Sequence, residues 1–108
     1  MPSDREPGYF LSRAAERDLD LIWDYTSQQW GISQADTYLR RIHAALARLP
    51  DFPGAGHAVD EIRQGYRVLP IEARCAFYRT MKDGIEVVRI LHGRMAARGK
   101  FAVAKQGE

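Results

Sequence analysis

Cysteine is nearly absent: the 108 residues hold one, Cys75. A lone thiol excludes an internal disulfide, and its setting, Arg74-Cys75-Ala76-Phe77, reads as a small hydrophobe buried in a strand. A reactive thiolate would need a cationic, exposed niche that these neighbours do not provide. Long apolar runs are missing as well. No window approaches the ~18 uninterrupted apolar residues of a membrane span, and MPSDREPGYF has no apolar stretch like that of a signal peptide. The expected address is therefore the cytoplasm, with no membrane partner. Histidine is sparse: His43, His57 and His92 are scattered, and with one cysteine they make no metal-ligand spacing. There is no Gly-rich phosphate loop and no Ser-His-Asp order, so neither metal nor cofactor is expected.

What is present is globular. A hydrophobic share of 45% and a charged share of 28% argue against wholesale disorder. The length suits one domain spanning residues 1–108, with 1–7 and 99–108 as flexible ends and no room for a separate effector module. Charge is unevenly placed. Residues 1–54 hold 6 Lys/Arg against 8 Asp/Glu, and residues 55–108 hold 10 against 6, so the halves carry −2 and +4. The last stretch has Arg94, Arg98, Lys100 and Lys105 against Glu108 alone. Such a tail suits an acidic partner, protein or nucleic acid, or else is simply a solvated terminus.

Periodicity divides the chain in two. Gly8 to Leu11 is apolar enough for a first strand, and Ser12 is a good N-cap. Ala15, Leu19, Ile22, Trp23, Thr26 and Trp30 then recur at helical spacing, which places Trp23 and Trp30 in the core. Gly31 suits a C-cap, and Ser33 is expected to cap a second helix facing inward with Ala35, Tyr38, Leu39, Ile42, Ala45, Leu46 and Leu49. The short link makes an antiparallel helical hairpin. Beyond Pro50, Pro53, Gly54 and Gly56 the period changes to about 2. Strands are expected at Val59 to Arg63, Tyr66 to Leu69 ending near Pro70, Arg74 to Met81, and Ile85 to His92, the last two joined by the Asp83-Gly84 turn. A short C-terminal segment follows, partly helical around Met95 to Arg98.

An antiparallel sheet buries one face under the helices and leaves the other for function. On the Arg74 strand, Cys75, Phe77 and Met81 are expected to face inward, with Arg74, Ala76, Tyr78 and Thr80 outward. Both sets of the Ile85 to His92 strand are mostly apolar, as in a central strand packed on both sides. Asp18, Asp20 and Asp24 read as a solvated helix face. Arg67, Arg79 and Arg89 are candidates to pair with Asp60, Glu61 or Glu86 across strands.

The order Ser12, Ala15, Asp18-Leu19, Ile22-Trp23-Asp24-Tyr25, Trp30-Gly31, Gln34-Ala35, Tyr38, Pro53, Gly65-Tyr66-Arg67, Phe77-Tyr78-Arg79 and Arg89-Ile90-Leu91-His92 resembles the ParE branch of the RelE/ParE toxin superfamily, over roughly residues 9 to 97. The resemblance implies an α+β fold: an N-terminal strand, an antiparallel helical hairpin packed on a curved, mainly antiparallel sheet, and a short C-terminal segment. It also implies the toxin of a type II toxin-antitoxin system, neutralised by a small ParD-like antitoxin in a hetero-oligomeric complex that binds DNA through the antitoxin. ParE-like toxins inhibit DNA gyrase and so growth, in settings of stress; RelE-like ones cleave mRNA on the ribosome.

Chemistry weighs these two activities. RNA cleavage needs a base, an acid and cations around the developing phosphorane charge. Arg74, His92 and Arg94 are the candidates, but no tyrosine follows Tyr78 and no lysine cluster precedes the sheet. Inhibition by binding is therefore the favoured reading. A ribosome-dependent endoribonuclease, or a non-toxic relic that only binds antitoxin, is the alternative. Target contacts are expected from Arg94, Met95, Arg98, Lys100 and Phe101, and antitoxin contacts from Tyr66, Arg67, Tyr78 and Arg79, beside an apolar groove between the helical hairpin and the sheet.

Overall fold

In the computed structural model, which describes residues 8–93, the elements are β1 (Tyr9–Leu11), α1 (Arg13–Trp30), α2 (Ile32–Ala47), β2 (His57–Ala58), β3 (Tyr66–Ile71), β4 (Arg74–Met81) and β5 (Gly84–His92). The strands form one sheet in the order β1-β5-β4-β3-β2, antiparallel throughout except that β1 runs parallel to β5. This is the expected α+β arrangement of a helical hairpin on a mainly antiparallel sheet. The expected C-terminal segment and flexible ends lie outside the described residues.

Ser12 performs two tasks at the first junction. Its Oγ accepts from the Ala15 N–H at 3.0 Å as the N-cap of α1 and donates to the Val88 carbonyl at 2.7 Å. Its N–H reaches the Val87 carbonyl at 3.0 Å, so one residue starts the helix and finishes the β1–β5 pairing. At the hairpin tip the Gly31 N–H donates to Ser27 O at 2.9 Å, and its own carbonyl accepts from Ala35 N at 3.1 Å. Gly31 is therefore the cap of both helices, and α2 begins at Ile32 without a side-chain cap. The expected role of Ser33 is lost because the link closes in a single residue.

The main core lies between the hairpin and the sheet. Ala15, Leu19 and Ile22 from α1, Ile42 and Leu46 from α2, and Leu49 just beyond it meet Ile71, Ala76, Tyr78, Ile85, Val87 and Ile90. Each fully buried Ile or Leu contributes about 1.5–3 kcal/mol. Tyr38, Leu39 and Ala45 are half-buried against this core. Trp23 is also half-buried, its Nε1–H donating to Asp36 Oδ1 at 2.9 Å and tying the helices together. Trp30 is not a core residue: it is 66% exposed. It sits in the last turn of α1, where the apolar stripe has outrun the surface that buries it.

Two further corrections concern the sheet. Val59 to Arg63 is a turn, not a strand: Ile62 and Arg63 both donate to the Val59 carbonyl, at 2.8 and 3.2 Å. The preceding pair His57–Ala58 takes the edge position opposite Val68 and Arg67. The facing of β4 is the reverse of the expectation, since Ala76 and Tyr78 join the helices while Phe77 packs in a second cluster with Val59, Tyr66, Val68 and Leu91. Cys75 is half-buried against that cluster, and burial pushes its thiol pKa up, away from reactivity. A register irregularity explains why β5 is apolar on both sets of positions. Phe77 pairs with Arg89 but Tyr78 with Val87, leaving Val88 over, so Val87 and Ile90 serve the main core while Val88 and Leu91 serve the second cluster.

The β4–β5 hairpin forms as expected, and Gly84 shows what its turn demands. A Cβ there would lie 2.2 Å from the Gly8 carbonyl oxygen, which accepts from the Ile85 N–H. Pro70, one residue before the end of β3, lies beyond the two residues that β2 covers, so its missing N–H removes no bond to β2.

Candidate functional site

The site is built around the stretch of β5 that β1 does not reach. β1 pairs only with Ile85 to Val87, so the next residues of β5 have no strand on that side. Asp18, early in α1, supplies the missing acceptor. Its Oδ2 takes the Ile90 N–H at 2.9 Å and Arg89 Nε at 2.8 Å, and its Oδ1 takes Arg89 Nη2 at 3.0 Å. Two parallel N–H···O bonds from a guanidinium are the strongest form of ion pair that side chains make. The Arg89 pKa is raised above its ordinary value, chiefly by the Asp18 hydrogen bond and further by the attraction of its charge, against the opposing effect of burial. Asp18 is thus a buried lock between helix and sheet, not part of a solvated acidic face.

Above this lock runs an open groove of about 800 Å³ between the hairpin and the end of the sheet. Its hairpin side presents Leu21, Tyr25 and Trp30, each more than half exposed, with Tyr38 from α2 opposite. Its sheet side presents Arg74, Leu91 and His92, and Arg41 and Glu72 stand at the rim, 3.5 Å apart. Contiguous exposed apolar side chains rimmed by charge mark an interaction surface.

The structure brings some of the expected site residues together and disperses others. Arg74 and His92 are direct partners across β4 and β5 and share the groove. Arg94 lies outside the described residues, as do Met95, Arg98, Lys100 and Phe101. Tyr66, Arg67, Tyr78 and Arg79 do not form one exposed face. Tyr78 is fully buried, donating to the Pro53 carbonyl at 2.7 Å and accepting from the Gly56 N–H at 2.9 Å. Tyr66 is buried on the opposite face with the Arg63 guanidinium 5.8 Å from its ring centre. Arg67 clamps the same loop as Tyr78, its Nη2 2.7 Å from the Gly56 carbonyl, rather than pairing with Asp60 or Glu61. Arg79 alone keeps the expected cross-strand partner, Glu86, at 2.7 Å. His43 meets the Tyr9 hydroxyl at 2.9 Å.

Leu21 and Tyr25 are the groove residues that sequence reasoning passed over. Their i,i+4 spacing on a helix face otherwise rich in acids was the available signal.

With this geometry in view, comparison with known proteins is informative. Residues 9–97 match the family described as the ParE toxin of the type II toxin-antitoxin system, parDE. Toxin ParE1 of Mycobacterium tuberculosis is 48% identical over 88 residues, covering 81% of this chain and 90% of the relative. Toxin ParE1 of Caulobacter vibrioides is 40% identical over 90 residues, covering 83% and 93%. A solved chain from the chromosomal ParDE TA system of P. aeruginosa superposes with a TM-score of 0.70 at 26% identity, covering 79% of this chain and 94% of that one.

Proposed function

The chain belongs to the ParE toxin family of type II toxin-antitoxin systems, and from that premise we propose that it arrests growth by binding DNA gyrase and is held inactive by a ParD-like antitoxin. It acts as a protein inhibitor and not as an enzyme. The observation that carries the antitoxin half is the groove: an amphipathic antitoxin helix lays its apolar stripe across Leu21, Tyr25 and Trp30. The toxin and antitoxin form a hetero-oligomer that binds DNA through the antitoxin.

Replacing both Leu21 and Tyr25 with aspartate is expected to weaken the antitoxin complex at least about a hundredfold, since buried interface anchors are each worth about 2 kcal/mol or more. The fold should melt as wild type does, because both side chains are exposed in the free toxin. Calorimetric titration with the antitoxin reads this out, and unchanged affinity would move the docking site elsewhere.

The gyrase half rests on family membership and on the cationic stretch with Arg94, Met95, Arg98, Lys100 and Phe101. Deleting everything after Gly93 is expected to abolish growth arrest and inhibition of DNA supercoiling while the protein still binds antitoxin. Toxicity that survives the deletion would remove the tail from the target interface.

A second reading has its own observation: Arg74 and His92 sit side by side in the groove. As a ribosome-dependent endoribonuclease the protein would use that cation and imidazole, with Arg94, on the scissile phosphate. Cleavage of mRNA on translating ribosomes, lost in Arg74→Ala, would decide for it over gyrase. A chain that arrests neither process would be a relic that only binds antitoxin.

A further inference from the structure

The charges lining the groove do not balance. Three arginines, Arg41, Arg74 and Arg89, face two carboxylates, Asp18 and Glu72. Asp18 is fully engaged by Arg89 and the Ile90 N–H, and Glu72 is 3.5 Å from Arg41 at the rim. Arg74 is left over. Among the described residues no carboxylate pairs with it, and its Nε is buried without a hydrogen-bond partner. A desolvated donor on a charged group is costly to leave unmet, and Arg74 is the groove arginine that no described carboxylate neutralises.

The planar guanidinium fork fits a carboxylate with two parallel bonds. The same groove also carries exposed apolar side chains from α1, Leu21, Tyr25 and Trp30. We propose that Arg74 is the receptor for one carboxylate of the antitoxin segment that fills this groove. The occupant is therefore an amphipathic helix with an aliphatic stripe over α1 and an acidic side chain directed at the end of the sheet. This rests on the antitoxin-docking reading given above and adds to it the polarity and register of the bound segment. The buried ion pair forms only in the complex, which couples affinity to a single charge.

The test titrates the toxin with a purified ParD-like antitoxin and follows tryptophan emission and affinity together. Trp30 lines the groove and is mostly exposed, so filling the groove shifts its emission to the blue, a shift that disappears in Trp30→Phe. Arg74→Gln is expected to keep the blue shift and lose affinity about tenfold to a hundredfold, the usual worth of a charge-assisted contact. Arg74→Lys, which keeps the charge without the fork, should fall between, and it carries the test should Arg74→Gln fail to fold. Among acid-to-amide changes in the antitoxin, one position should make Arg74→Gln cost nothing more.

Binding without a Trp30 shift overturns the docking reading itself. A Trp30 shift with equal affinities for wild type and Arg74→Gln leaves that reading in place and overturns the role of Arg74 alone. Unchanged antitoxin affinity together with weakened binding of a fluorescein-labelled RNA oligonucleotide also overturns it, assigning the cation to a phosphate.

Discussion

Asp18→Ala is expected to destabilise the protein by about 3–5 kcal/mol, the usual result of removing one partner from a buried ion pair. A domain of this size has roughly 5–15 kcal/mol to lose, so the variant should sit close to unfolding. The cause is specific. The substitution strands the Arg89 guanidinium in a partly buried position and leaves the Ile90 N–H of β5 without the acceptor that β1 is too short to supply. Urea denaturation measures the effect. Asp18→Asn keeps one oxygen and should lose less, and adding Arg89→Met to Asp18→Ala should recover part of the loss by removing the stranded charge. Because pairing raises the Arg89 pKa, its contribution is complete at every pH below the ordinary arginine value and fades only in strong alkali. The difference between wild type and Asp18→Ala should therefore be flat from about pH 7 to pH 9. A loss below ~1 kcal/mol would mean that Asp18 is an ordinary surface acid after all.

Tyr78→Ala should cost a comparable ~3–5 kcal/mol, because it empties the largest fully buried side chain of the described core. Tyr78→Phe separates the ring from its hydroxyl. That oxygen donates to the Pro53 carbonyl and accepts from the Gly56 N–H, holding the loop between α2 and β2 against the sheet. Its removal should cost about 1–3 kcal/mol, an orphaned buried group being worse than a missing bond. For a domain near 100 residues that lowers the melting temperature by roughly 4–8 °C per kcal/mol. The loop itself has no slack: a Cβ on Gly56 would lie 2.4 Å from the Val68 carbonyl oxygen. If Tyr78→Phe melts with wild type while Tyr78→Ala unfolds, the ring alone secures the core and the loop is anchored by Arg67.

What the chain disclosed in advance was local. The cap and turn signals of Ser12, Gly31 and Asp83-Gly84 are local, and the elements they bound fell where periodicity placed them. The failures each have a non-local cause. Alternation in β4 was ambiguous because both of its faces are apolar, and the extra residue at Val88 changes the parity of β5 halfway along. Val59 to Arg63 has strand-like residues, yet the chain turns there and uses Val59 and Ile62 to cover the second cluster. The meaning of Asp18 lay 71 and 72 residues away, beyond any window of periodicity. The groove was expected beside the hairpin, but its makers were not: Leu21 and Tyr25 fall off the apolar stripe that periodicity picks out, and Trp30 was placed in the core. Arg74 and His92 were named for their chemistry, and the strand register then made them neighbours.

The parallel pairing of β1 with β5 bears on how the toxin comes into being. β1 precedes the helices in the chain, but its strand partner is β5, the last strand among the described residues. Until Ile85 to Val87 have emerged from the ribosome, Tyr9 to Leu11 have no strand to pair with among the described residues, and Asp18 has neither Arg89 nor Ile90 to hold. Loop closure over so long a span is slow compared with folding of the helical hairpin. The helices can therefore form early, but the groove they share with the sheet is completed only once β5 has been made. Until β5 emerges, a nascent chain lacks the finished groove, and it acquires it in one step when that strand pairs.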